Sequence, residues 1–200
     1  MTRSSTGNSL NATLSGEGNV SPSPASVSLV LDGSHKPFLF RMLQEGFFVT
    51  TKAGISIKDF LTDYLKIDSD YISRRISTLL LNGIPVDDLD SETLADGSVL
   101  ALSAAMPGLA GSIFRKGGYL AGLRSKVGKK DIAAKPDSDA WVKVKLFNAL
   151  VADLGPGLLS RGIWIKASSL NALRQEGKIC AKTTGSYPTD EMIHIVITIS

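Results

Sequence analysis

Thr78-Leu79-Leu80-Leu81-Asn82-Gly83-Ile84-Pro85-Val86, followed by Leu94-Ala95-Asp96-Gly97-Ser98-Val99, is the stretch from which the fold is read. A short apolar run ends at Asn-Gly, the two-residue pair whose positive φ angles suit the tight turn of a β-hairpin. An acidic loop follows, and Asp96-Gly97 turns the chain into a further apolar strand ending near Ser103. The pattern predicts strand, turn, short strand, loop and closing strand within residues 76–108.

Upstream, Phe38–Leu43 reads as a strand, Gln44-Glu45-Gly46 as a turn and Phe47–Thr51 as the returning strand, on their aromatic and β-branched content. Ser56 is a candidate N-cap. Ile57, Phe60, Leu61, Tyr64 and Leu65 then recur with the period of one helix face. A second short helix is expected over Asp70–Ser77, with Tyr71, Ile72 and Ile76 inward and Arg74 and Arg75 outward. Order is expected to begin at Val27–Leu31. Residues 1–26 are Ser-, Thr-, Asn- and Gly-rich and have too few large apolar side chains to offset the entropy of ordering.

Downstream, residues 104–136 mix glycines with basic residues, and Pro136–Asp139 reads as a boundary. Trp141–Phe147 alternates as a half-buried strand. Leu154–Gly157 reads as a loop and Gly162–Ala167 as a strand. A helix capped at Ser168 or Ser169 runs to Gln175, and Lys178–Thr184 and Met192–Ile199 read as closing strands. The expected organisation is therefore a tail (1–26), a first domain (27–108), a Gly-rich basic arm (109–139) and a smaller ββαββ unit (140–200). A weak internal duplication would match Phe38–Leu61 with Val142–Leu173.

Residues 38–108 resemble the β-grasp, or ubiquitin-like, superfamily, on the Leu81–Val86 turn, the Leu94–Val99 turn and the Pro-Gly beyond it. The branch they look most like is that of the sulfur carriers, such as the small subunit of molybdopterin synthase and the thiamine sulfur carrier. The resemblance implies an α+β fold, a β-grasp sheet with one main helix, and Val142–Phe147 looks like the opening of a second, degenerate copy. It also implies a C-terminal Gly-Gly for carrier chemistry, but this chain ends Ile197-Thr198-Ile199-Ser200. Gly117-Gly118 falls where such a tail belongs, so Arg115, Lys116, Gly117 and Gly118 form the candidate carrier or partner-binding arm. Ile57–Leu61, Tyr71–Ile76 and Leu81–Gly83 also resemble the S4 RNA-binding module. That resemblance makes Arg74, Arg75, Arg124, Lys126, Lys129 and Lys130 the alternative, RNA-binding set.

The 200 residues carry a net charge of only +3, too small by itself to argue for nucleic acid. Its distribution says more. Asp87, Asp88, Asp90, Glu92 and Asp96 cluster, and Arg115–Lys130 is basic with no acid between, so the two stretches can attract each other. The one cysteine, Cys180, excludes an intrachain disulfide and a cysteine-rich zinc site and fits a reducing, cytoplasmic setting. No signal peptide or membrane-spanning run is read. His35 and His194 lack companions at metal-ligand spacing, and Cys180 with His194 is a poor nucleophile–base pair. Trp141 and Trp164 are read as core or rim residues on strands. The sequence thus points to a non-enzymatic module without cofactor, metal or membrane, acting on a protein partner, with RNA as the alternative.

Overall fold

A computed structural model describes residues 26–105, 108–115, 117–118, 138–175 and 187–200. The expected positions Lys116, Arg124, Lys126, Lys129, Lys130 and Cys180, the tail before residue 26 and the strand expected at 178–184 lie outside the described residues.

Among the described residues the fold is mixed α+β, built on one eight-stranded sheet. Strand β1 (Ser26–Leu31) leads into helix α1 (Lys36–Glu45) and strand β2 (Phe47–Lys52). A helical turn, α2 (Ile57–Asp59), widens into a π turn at Phe60–Tyr64, and α3 (Ser69–Arg75) follows. Next come β3 (Thr78–Leu81), β4 (Ile84–Pro85), β5 (Val99–Ser103) and the short helix α4 (Gly108–Phe114). The chain closes with β6 (Asp139–Phe147), α5 (Ala149–Arg161), β7 (Ile163–Lys166), α6 (Ala167–Gln175) and β8 (Met192–Ile199).

The strand order is β1-β8-β7-β2-β6-β5-β3-β4. The expected picture of a β-grasp sheet beside a separate ββαββ unit therefore needs correction, because strands of the two stretches alternate. β6 lies between β2 and β5, antiparallel to the first and parallel to the second. β1 is parallel to β8, and Ser200 at the chain end donates its N–H to the carbonyl of Leu31. The alternation along β6 suits its place between β2 and β5: Ala140, Val142, Val144 and Leu146 are fully buried on the side that α1 and α5 cover.

Each strand contributes the same parity to that side. Phe47 faces Val144, Leu100 faces Val144, Leu102 faces Leu146, and Ile163 and Ile165 face Ile195 and Ile193. Helices α1 and α5 cover this side, with Leu39, Met42 and Leu43 from one and Leu150, Val151, Leu158 and Leu159 from the other. Ile57, Phe60, Leu61 and Leu65 join the same core cluster.

Two local expectations are overturned. Phe38–Leu43 is helix, not strand. Leu39, Met42 and Leu43 recur at i, i+3 and i+4 and are all buried, so the helical period outweighs the aromatic content. Pro37 sits in the first turn, where its missing N–H costs nothing, and Gly46 ends the helix at φ 113°. Leu154–Gly157 is not a loop but part of α5. Gly155 is there for packing: a Cβ would lie 2.7 Å from Leu43 Cδ1, so its absence lets α5 approach α1.

The expected hairpin holds. Asn82 and Gly83 both have positive φ (52° and 83°), and Asn82 Oδ1 accepts the Val99 N–H at 2.8 Å, tying the turn to β5. Asp96 accepts the N–H of Trp141 at 2.8 Å, fixing the start of β6 beside the Asp96-Gly97 turn.

A polar clamp joins α3 to α5. Tyr71 donates its hydroxyl to Asp153 Oδ2 at 2.7 Å, and Arg75 reaches the same oxygen at 2.8 Å. These two bonds, the Arg75 one foremost, hold the Asp153 carboxyl below its ordinary 3.8. Burial, with the acceptor carboxylate, raises the Tyr71 phenol. A carboxyl whose pKa is lower folded than unfolded adds stability above its unfolded pKa, and that contribution disappears as pH falls through the folded one. Asp153→Asn is therefore expected to be less stable than the wild type at neutral pH. The gap narrows as pH drops below about 3.8. Urea unfolding of both proteins across pH 2–7 checks this, and a pH-independent gap contradicts it.

Candidate functional site

The side of the sheet away from α1 and α5 carries the residues of opposite parity. Among the described residues, Phe48, Trp141, Lys143, Lys145, Phe147, Trp164 and His194 are half-buried there, and Thr50 and Lys166 are exposed. Strand register places four of them in one line: Lys143 faces Phe48, Phe48 faces Trp164, and Trp164 faces His194, across β6, β2, β7 and β8. Adjacent strands lie about 4.8 Å apart, so the line is a row of three ring-bearing positions with a lysine at one end.

Trp164 touches two other rings. Trp141 and Trp164 pack edge to face with centroids 5.3 Å apart, and Trp164 and His194 lie 5.0 Å apart at a tilt of 58°. Lys143 Nζ sits 5.7 Å from the Phe48 centroid, within reach of a cation–π attraction.

Two glycines make room for this band. Gly46 ends α1 and Gly162 ends α5, each at positive φ (113° and 99°), each donating its N–H to the carbonyl four residues back. A Cβ on Gly46 would lie 2.5 Å from Lys143 Cε, and one on Gly162 would lie 2.5 Å from His194 Cε1 and Nε2. Phe48 and Trp164, which face each other, both stand two residues after these glycines. The stretches α1–Gly46–β2–α2 and α5–Gly162–β7–α6 thus share one local plan, helix, glycine, strand, helix.

The electrostatics of this side are set by three lysines. Burial, then repulsion from Lys145 and Lys166, pulls the Lys143 ammonium below its ordinary range, with Glu45 opposing weakly. No carboxylate among the described residues lies within ion-pair distance of Lys143, Lys145 or Lys166.

The residues singled out from sequence sit elsewhere. Arg74 pairs with Asp70 at 2.9 Å and Arg75 with Asp153. Arg115 ends α4. Gly117, at φ 60°, donates its N–H to Asp87 Oδ1 at 3.1 Å, and Gly118 donates to the Arg115 carbonyl. A basic arm thus touches the acidic loop through a backbone contact. The acidic loop itself holds structure: Asp88 caps Asp90 and Ser91, Asp90 pairs with Lys58 at 2.9 Å, and Asp96 anchors β6. A cavity of about 330 Å³ lies between this loop and Ile72 and Ser73 of α3.

Release of residues 119–200 by cleavage after Gly118 would remove β6 from between β2 and β5, so those residues are not a detachable extension of a finished domain. His35 is held by Asp32 at 3.1 Å. Among the described residues no group of three or more His, Cys, Asp and Glu can hold a metal, and no helix is long and apolar enough to cross a membrane.

Sequence reasoning placed Trp141, Trp164 and His194 on strands. It missed that Phe48, Trp164 and His194 share one row. The signal that could have found it is parity: Lys143 and Lys145 alternate with buried Val142, Val144 and Leu146, which puts the lysines on the side of Trp141.

Comparison with known proteins found no matching family model, no matching curated protein and no matching solved structure. The functional reading therefore rests on this geometry.

Gly162→Ala combines a strained φ with a clash against an imidazole ring that has less freedom than a lysine stem. It is expected to lose about 1–3 kcal/mol of stability and to alter the tryptophan near-ultraviolet dichroism. Gly46→Ala meets only the flexible Lys143 and Lys145 stems beyond its φ strain and is expected to lose less. Equal losses with an unchanged tryptophan signal would contradict the account of the band.

Proposed function

We propose that the chain is a non-enzymatic binding protein with a β-grasp-like sheet that receives its ligand on the side carrying Phe48, Trp141, Trp164 and the three lysines. The strand order β2-β6-β5-β3-β4 supports the β-grasp part. In a β-grasp sheet the first and last strands run parallel side by side at the centre, the second strand flanks the first, and a helix links the second strand to the third. Here β5 and β6 are the parallel pair, β2 flanks β6 antiparallel, and α2 with its π turn follows β2. The strand in the first position is β6, which comes last of the five in the chain, so the arrangement is a circular permutation of the β-grasp order.

The single observation that carries the binding part is the row of half-buried rings beside three lysines with no carboxylate at ion-pair distance among the described residues. A ligand bearing negative charge would relieve the repulsion that Lys145 and Lys166 exert on Lys143. Half-buried rings of this kind are the usual anchors of recognition.

A carrier role through Arg115–Gly118 has less support. Gly117 is turned and tied to Asp87, and the chain after Gly118 leads to an interior strand.

A photo-crosslinking residue at Thr50, exposed beside Trp141, tests the reading in the protein's native cells. Adducts are expected from Thr50 and not from Arg41 on α1, which lies on the opposite side of the sheet. Adducts from Arg41 alone would contradict a ligand on the side of Trp141 and Trp164.

A further inference from the structure

We infer that the ligand of this sheet side is single-stranded RNA, its bases stacked on Trp164, Phe48 and Trp141 and its phosphates held by Lys143, Lys145 and Lys166. The inference rests on the sheet-side reading above and names the chemistry that reading leaves open.

Three observations favour a nucleic acid over an acidic peptide. The first is the row. Phe48 and Trp164 face each other on adjacent strands, with His194 next in line and Trp141 against Trp164. Flat aromatic faces spaced across a sheet match successive bases, since every base offers a π-face, whereas an acidic peptide of carboxylate side chains has nothing flat to lay on them. The second is the placing of charge. Lys145 lies two residues from Lys143 on β6, and Lys166 lies two residues from Trp164 on β7, so ammonium groups flank the rings on two strands. Their mutual repulsion, felt at Lys143, marks a place where a polyanion gains more than it would at scattered lysines. The third is the hydroxyls of the same side. Thr50 is exposed opposite Trp141, and Ser26 is exposed opposite His194. Each can donate to or accept from a ribose 2′-hydroxyl, which favours RNA over DNA at this surface.

Duplex is the poorer fit. Rings in a row engage bases only where the bases are unpaired and can be splayed, so an intact helix would meet the lysines and leave the aromatic faces unused.

The test is fluorescence anisotropy of a fluorescein-labelled oligouridylate with the full chain, titrated with salt between about 50 and 200 mM. Binding is expected to weaken steeply with salt, and Lys143→Ala and Lys145→Ala are each expected to lower the log–log salt slope by about 0.7, the contribution of one phosphate contact on a single strand. Trp164→Ala is expected to weaken binding by about tenfold or more. Because that substitution also removes packing against His194, the lysine variants, which leave the Trp141–Trp164 and Trp164–His194 contacts in place, keep the test decisive if Trp164→Ala fails to fold. Arg41→Ala, on α1 across the sheet, is expected to leave both affinity and slope unchanged.

Absence of binding at low salt overturns the inference, as does a slope that neither lysine variant changes. Oligothymidylate bound as tightly as oligouridylate overturns the preference for ribose. Displacement of the RNA by an equal concentration of oligoglutamate overturns it in favour of an acidic protein partner. Adducts at Thr50 with no RNA binding would leave the sheet-side reading standing and this assignment refuted.

Discussion

The pairing of β6 with β2 on one side and β5 on the other is the contact on which the rest of the molecule depends. It brings together segments far apart in the chain: the ion pair between Lys52 and Asp139, at one end of the β2–β6 ladder, spans 87 positions. Closing so long a loop costs only slowly increasing entropy, and the return is an interior strand with four fully buried side chains. Through β6 the helices α1 and α5 find a common surface, and through β2 the pair β7–β8 joins the sheet. A second distant closure, β1 with β8, seals the far edge.

The same parity that builds the core builds the surface opposite. Because side chains alternate, burying Val142, Val144 and Leu146 forces Trp141, Lys143 and Lys145 to the other side. The neighbouring strands obey the same rule, so Phe48, Trp164 and His194 come into one line without any loop to position them. A site made this way is rigid, which suits recognition of a flexible ligand by a preformed platform. The two helix-ending glycines, Gly46 and Gly162, complete it by removing the atoms that would crowd Lys143 and His194.

Local signals were legible and distant ones were not. The Asn82-Gly83 hairpin, the Ile57–Leu65 helical face and the β6 and β8 strands follow from turn chemistry and period, which act within a few residues. Phe38–Leu43 misleads because a short apolar run fits both a strand and a helix, and only burial of Leu39, Met42 and Leu43 decides. Gly155-Pro156-Gly157 reads as a loop because the packing of Gly155 against Leu43 is a contact with another helix, invisible in local composition. Nothing near Asp139 announces that β6 inserts between two strands that precede it. The ring band was half legible: its members were recognisable as strand residues, but their convergence depends on the β2–β7 bridge.

The most direct measurement is amide hydrogen exchange across the sheet. If β6 unites it, the interior amides of β6, such as those of Val142 and Val144, exchange only by global unfolding. Those of Phe48 on β2 and Ile195 on β8 follow with the same free energy. Exchange of β7 and β8 at a distinctly lower free energy, with β2–β6–β5 still protected, would mean two independently opening units and would contradict the account.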